Sequence, residues 1–178
     1  YDDGFLYVQA HRHLFVFNPD GHVDVVDPAG IIYATLVQDH CLYVSTSNGL
    51  YLYSGKRLHI LRGSSALAGQ TVAAMVPYDD HSFLIATDFS GVFLYDGNSV
   101  TPFRTDADAF IRRNQLYSLA VSEDYIAFGT VLQGAVVTDK KGRQPVFIGH
   151  EQGLQNNTVL SLNFDSDQNL WLGLDQGV

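Results

Sequence analysis

Five short β-rich runs recur along this chain at nearly constant spacing, and that repetition restricts the fold more than any other feature. They are residues 5–10 (FLYVQA), 41–46 (CLYVST), 82–87 (SFLIAT), 125–130 (YIAFGT) and 169–174 (NLWLGL). Their last residues, 10, 46, 87, 130 and 174, lie 36, 41, 43 and 44 positions apart. A four-stranded propeller blade occupies about 40 to 45 residues. A hairpin unit copied at that interval leaves each copy with an apolar flank that only the next copy can cover.

The later strands of each unit recur as well. A second β-rich run follows after a few turn residues, at 14–17 (LFVF), 50–53 (LYLY), 92–95 (VFLY) and 135–137 (AVV). Gly21, Gly55, Gly97 and Gly142 come next and supply the positive φ of a tight hairpin, before a last strand at 22–26, 57–61, 99–103 and 143–148. The expected fold is therefore all-β, built of propeller blades of four antiparallel strands. The segments are a partial blade at 1–27, blades at 31–61, 70–103 and 115–148, and a partial blade at 157–178. Residues 1–4 (YDDG) align with the turn between first and second strands, and Gly177 and Val178 precede a third strand. A four-bladed ring would need the first strand of the last unit to complete the first blade, leaving residues 169–178 surplus. An arc of a larger ring, of about seven blades, is the expectation. Residues 105–114 (TDADAFIRRN) place acids early and bases late, as a helix dipole favours, and are read as a connecting loop with room for a helical turn.

Composition narrows the functional classes. A hydrophobic content of 46% with mean hydropathy +0.01 fits a soluble globular domain. The net charge of -9, from 10 basic and 19 acidic residues, opposes a nucleic-acid surface and an anionic membrane surface, since both need clustered positive charge. Cys41 is alone, so no internal disulfide is available. With no initiating Met, signal peptide or membrane-spanning run, the chain reads as a section of something larger.

Residues 153–178 (GLQNNTVLSLNFDSDQNLWLGLDQGV) carry the strongest motif. Gly153, Leu154, Asn156, Asn157, Val159, Leu162, Asp165, Leu170, Trp171, Gly173, Asp175 and Gly177 follow the pattern GL, small polar residues, VxxLxxDxxGxLWxGT, xxGL. Asn169, near the expected Gly, and Leu174, where Thr is usual, depart from it. The stretch resembles the repeat of the two-component regulator propellers. That resemblance implies the periplasmic sensing region of a membrane-spanning regulator, often a hybrid histidine kinase of gut Bacteroidetes that detects carbohydrate breakdown products. It also implies a homodimer in the parent protein. The expected function is a non-catalytic sensor fragment that binds an oligosaccharide, without cofactor. The alternatives are a propeller glycosidase or polysaccharide lyase, and a protein-binding scaffold.

Propeller geometry brings connections from fourth to first strand and from second to third strand to one face. Those loops supply Arg62, Arg104, Arg112, Arg113, Asn114, His150, Asn156 and Asn157, planar donors and amides suited to polyhydroxyl or carboxylated ligands. Solvated loops give the same composition. The available loop acids, Asp106, Asp108 and Glu151, show no spacing that marks a catalytic pair. Asp165, Asp167 and Asn169 open like a calcium loop, but Leu170 and Gln176 stand where Gly and Glu belong, so a hairpin turn is expected. His11 and His13 alternate around Arg12 with no third ligand nearby, and no metal is expected. Trp171 is read as core between blades rather than a sugar platform, the strand Tyr and Phe likewise, and Cys41 as a small packed residue.

Overall fold

The computed structural model describes residues 2–28 and 30–177, so the expected roles of Tyr1 and Val178 at the two ends lie outside it. Among the described residues the chain forms seventeen strands and one α-helix. The first sheet has three strands, β1 (Leu6–Gln9), β2 (Leu14–Phe17) and β3 (Val23–Val26). The second contains β4 (Ile32–Gln38), β5 (Cys41–Thr46), β6 (Gly49–Ser54) and β7 (Arg57–Ile60). The third contains β8 (Val72–Pro77), β9 (Phe83–Thr87), β10 (Gly91–Tyr95) and β11 (Val100–Phe103). Helix α1 (Asp108–Arg113) then leads to the fourth sheet, β12 (Leu116–Val121), β13 (Tyr125–Thr130), β14 (Ala135–Asp139) and β15 (Val146–Ile148). A last hairpin pairs β16 (Val159–Phe164) with β17 (Leu170–Leu174). Every pairing is antiparallel between consecutive strands, which is the meander of a propeller blade.

The apolar core lies between sheets, as the repeat requires. Strand β9 (FLIAT) is buried along its whole length, and its two faces serve different neighbours. Phe83 and Ile85 join Leu50, Leu67 and Met75 in the seam with the second sheet. Leu84 and Ala86 join Leu116, Ile126 and Phe128 in the seam with the fourth. Strand alternation sends successive side chains to opposite faces, so a strand covered on both sides reads as an unbroken apolar run. The first seam follows the same rule, with Leu14 and Val16 against Ile32, Leu42 and Val44. Tyr43, Phe83 and Tyr95 form a three-ring cluster in the middle seam, with centroids 4.7, 5.0 and 5.6 Å apart. Burial there, aided by the neighbouring Tyr95, pushes the Tyr43 phenol up to about 12.

Threonine closes the turn after the second strand in each of the three complete sheets. The buried Thr46, Thr87 and Thr130 hydroxyls donate to the carbonyls of Gly49, Gly91 and Gly134 at 3.3, 2.7 and 2.8 Å. They accept in turn from the backbone N–H of Asn48, Ser90 and Gln133. Ala10 and Leu174 hold that place in the outer units and offer no such bond. Thr87→Val keeps the shape but strands one buried acceptor and one donor, so it is expected to cost about 2 kcal/mol in chemical denaturation. A loss below about 0.5 kcal/mol would show that water repairs the turn.

The opposite ends of the blades are joined by His–Asp pairs. His40 Nδ1 lies 3.2 Å from Asp2 Oδ2 and 3.0 Å from Asp3 Oδ2, linking the first two sheets. His81 Nδ1 lies 3.0 Å from Asp39 Oδ2, linking the second and third. The hydrogen bonds to Asp2 and to Asp39 raise the two imidazoles above their ordinary value. A folded pKa above the unfolded one gives stabilisation that is complete below about pH 6.5 and is lost as pH rises through the folded value. The thermal midpoint should therefore decline from pH 6 to 8.5, with a shallower decline in the His40→Asn/His81→Asn double variant. Identical slopes would remove the pairs from the account.

Two expectations need correction. Trp171 is not core between blades: it is 55% exposed, on a hairpin face that no further described sheet covers. Its indole N–H donates to Asp165 Oδ2 at 2.8 Å. The same carboxylate accepts from the backbone N–H of Asp167 and Asn169 and from the Asn169 side chain. These bonds, the indole's foremost, hold the Asp165 carboxyl below the usual carboxylate range. Nor are all strand aromatics packed inward, since Phe17, Tyr117, Tyr125 and Phe147 are 40 to 48% exposed. Cys41 is a free, half-buried thiol at the start of β5.

Candidate functional site

Backbone hydrogen bonds fix which loops share a face. The turn after the second strand is tied to the connection that enters the first: Ser47 N–H to Ile31 O, Asp88 N–H to Thr71 O, Val131 N–H to Gln115 O and Asp175 N–H to Thr158 O. Successive units are tied across the same face by Ile32 N–H to His11 O and Leu116 N–H to Asp88 O. The Thr158 hydroxyl adds a bond to Val131 O at 2.9 Å. This upper face is thus a chain of cross-linked loops rather than a set of free ones.

Its clearest recess is a cleft of about 410 Å³ where α1 meets the fourth sheet. The 3-10 turn His150–Gln152 forms one wall, closed by Gly149 N–H to Gln152 Oε1 at 2.9 Å. Asn157 Oδ1 accepts the His150 backbone N–H at 2.8 Å, and Asn157 O accepts from Gly134 N–H at 2.7 Å. His150 Nδ1 donates to Leu154 O at 2.8 Å, which makes Nε2 the acceptor in the neutral imidazole. Phe110 from α1 and Phe147 from β15 supply the apolar wall, with ring centroids 5.0 Å apart. Gln133 and Glu151 complete the rim. Buried Ile111 anchors α1, and Asp108 accepts from the Thr105 N–H and hydroxyl ahead of it.

The residues expected at the site separate into three places. His150 and Asn157 come together in the cleft, and Asn156 is beside it, its Oδ1 accepting from Thr158 N–H. Arg62 and Arg104 belong to seams at the outer rim. Arg62 O accepts from Val100 N–H in the next sheet, while Arg104 pairs with Asp108 at 3.3 Å. The Arg112 guanidinium lies so close over Gly91 that an added methyl would come within 2.9 Å of it. Arg113 is exposed at the end of α1, and Asn114 is buried at 7% exposure with its carbonyl bonded to Leu132 N–H. Of the loop acids, Asp106 pairs with Arg143 at 2.9 Å, and only Glu151 reaches the cleft.

Several residues of this face escape a sequence reading. Phe110, Phe147 and Gln133 are not adjacent in sequence, and nothing in their local pattern marks them. A second recess of about 380 Å³ opens where the innermost strands begin, lined by His11, Tyr33, Ala73, Asp88, Gln115 and Tyr117 among others. The innermost strands each carry a small residue paired with another, Ala34 with Ser45, Ala74 with Ala86, Ser118 with Gly129 and Ser161 with Gly173, but none of these lines the recess and they do not mark it.

An arc of antiparallel blades with its loops cross-linked on one face defines a β-propeller section. Residues 153–176 match the family model described as two component regulator propeller, so the resemblance read in that repeat stands. No curated protein sequence matches. Among solved structures, two of the extracellular domain of BT4673 from B. thetaiotaomicron superpose with TM-scores of 0.79 and 0.77 at 20% and 22% identity. That system is described as one component in the first and as hybrid two component in the second. Each match covers 99% of this chain and 26% of the other, so this chain spans about a quarter of their length. The WD40 propeller domain of Doa1 matches with TM-score 0.73 at 12% identity, over 99% of this chain and 60% of that one. These likenesses establish the propeller fold. No described helix is long and apolar enough to cross a membrane.

Proposed function

We propose that this chain is the ligand-reading section of a sensor propeller, in the periplasmic part of a membrane-spanning two-component signalling protein, and that it binds an oligosaccharide without transforming it. The cleft beside α1 is the observation that carries this reading. Phe110 and Phe147 offer flat apolar surface, while His150 Nε2, Gln133, Glu151 and Asn157 offer donors and acceptors around it, the combination that holds a sugar by its face and its hydroxyls. The repeat at 153–176 supports the signalling assignment. A non-catalytic role is supported by the acids: Asp106 and Asp108 are engaged with arginines, which leaves Glu151 without a partner carboxylate in the cleft. Ligand binding would act on the packing of a homodimer in the parent protein.

Calorimetry of the full-length protein against a panel of oligosaccharides tests the proposal. A member of the panel is expected to bind with micromolar to millimolar affinity, and Phe147→Ala is expected to weaken it at least tenfold. Silence across the panel, or hydrolysis of any member, would count against it.

A further inference from the structure

The four innermost strands share one irregularity. In each, a single extra residue interrupts the pairing with the second strand: Tyr33 in β4, Ala73 in β8, Tyr117 in β12 and Leu160 in β16. A bulge leaves its extra residue unpaired and re-aims the side chain away from the face that simple alternation would assign. The residues just before it, Ile32, Val72, Leu116 and Val159, stay at 0 to 3% exposure in the seams. The bulged residues do not: Tyr117 is 47% and Leu160 39% exposed, and Tyr33 and Ala73 are partly so. The same device recurs in these four strands at one level; it leaves Tyr117 and Leu160 exposed, while Tyr33 stays half-buried with part of its ring against the middle seam.

Three of these residues converge. Tyr33, Ala73 and Tyr117 line the recess of about 380 Å³ at the start of the innermost strands, with His11, Asp88 and Gln115 around it. The Asp88 backbone is held from both sides, its N–H on Thr71 O and its carbonyl accepting from Leu116 N–H, and its carboxylate accepts from the Phe89 N–H at 3.0 Å. The short side chain of Ala73 leaves the floor open between two tyrosines. Their rings are apolar on the face and polar at the tip.

We propose that this recess is a second binding subsite, which takes one ring of an uncharged polyhydroxylated ligand, a neutral sugar residue, against Tyr33 and Tyr117. The inference rests on the oligosaccharide reading and adds a location and a charge preference. The residues lining the recess include one carboxylate, Asp88, and no Lys or Arg. A uronate, sulfate or phosphate group would meet that carboxylate without a guanidinium or ammonium to offset it, whereas neutral hydroxyls donate to it and to His11 and exchange bonds with Gln115. Two of the arginines on loops of this face are engaged away from the recess, Arg104 with Asp108 and Arg112 across Gly91.

The test is calorimetry of the full-length protein with cellotriose, mannotriose, xylotriose and arabinotriose, and with trigalacturonate as the acidic counterpart. At least one neutral trisaccharide is expected to bind and to exceed trigalacturonate in affinity. Tyr117→Ala, which removes an exposed ring, and Ala73→Leu, which fills the floor without deleting any partner, should each weaken it at least tenfold at unchanged thermal midpoint. Tyr117→Phe should lose less. Unchanged affinity in both the Tyr117→Ala and Ala73→Leu variants, or tighter binding of trigalacturonate, overturns the subsite. Loss of binding confined to Phe147→Ala leaves the sensor reading intact and removes this one, while failure of every sugar removes both.

Discussion

Replacing Phe83 by alanine is expected to remove about 4 kcal/mol of stability. Phe83 is 1% exposed at the centre of the middle seam, and its ring touches Tyr43 from the second sheet and Tyr95 from its own. Truncation forfeits the transfer energy of the ring and leaves a cavity walled by two aromatics that belong to different sheets and so cannot close together freely. The damage should be local in a way that is specific to repeats, because each blade is stabilised through its neighbours. Hydrogen exchange is expected to accelerate on both sides of the middle seam, in β5, β6, β9 and β10, and to change least in β16 and β17. Leu84→Ala, one residue along the same strand, faces the fourth sheet instead and should shift the acceleration to β12 and β13. Trimming Val25, which is 58% exposed, should cost less than about 0.5 kcal/mol. If Phe83→Ala and Leu84→Ala loosen the same amides, the two-faced account of β9 is wrong.

That alternation is also why so much of the fold could be read from the chain. The central strands are covered on both faces, so they appear as the unbroken apolar runs SFLIAT and YIAFGT, and their spacing carries the blade period. Trp171 misled because the motif places it in a strand, but burial of a strand residue depends on whether another sheet covers its face. Helix α1 is too short for a hydrophobic period to register, and only its charges, Asp108 early and Arg112 and Arg113 late, announced it. The loops of the upper face were recognisable from strand order alone, yet loop membership does not say how far along a connection a residue lies. Arg62 and Arg104 come directly after outer strands and are drawn into the rim seams, while His150 and Asn157 lie further along and reach the cleft. The bulges were invisible because they change pairing and not residue type.

Gly134→Ala is expected to cost about 3 kcal/mol and to disable the cleft together with the fold around it. Gly134 has φ 77°, where an L side chain is strained by about 1 to 2 kcal/mol. Its surroundings add more: a methyl group there would come within 2.1 Å of Ile148 O and 3.0 Å of Gly149 Cα, and both are backbone atoms that cannot step aside as a side chain would. Crowding of that kind adds about 1 to 3 kcal/mol. The same residue donates to Asn157 O and accepts from the Thr130 hydroxyl, so displacing it moves the two sides of the cleft apart. Gly55→Ala separates the two contributions, because Gly55 has φ 56° with no other atom within 4 Å of the added methyl. It should cost only the conformational part, about 1 kcal/mol, and leave unchanged any affinity for the oligosaccharide proposed as ligand. Equal losses from the two substitutions in chemical denaturation would mean that the segment following β15 yields, and that the cleft wall is not set by the close approach of Gly134.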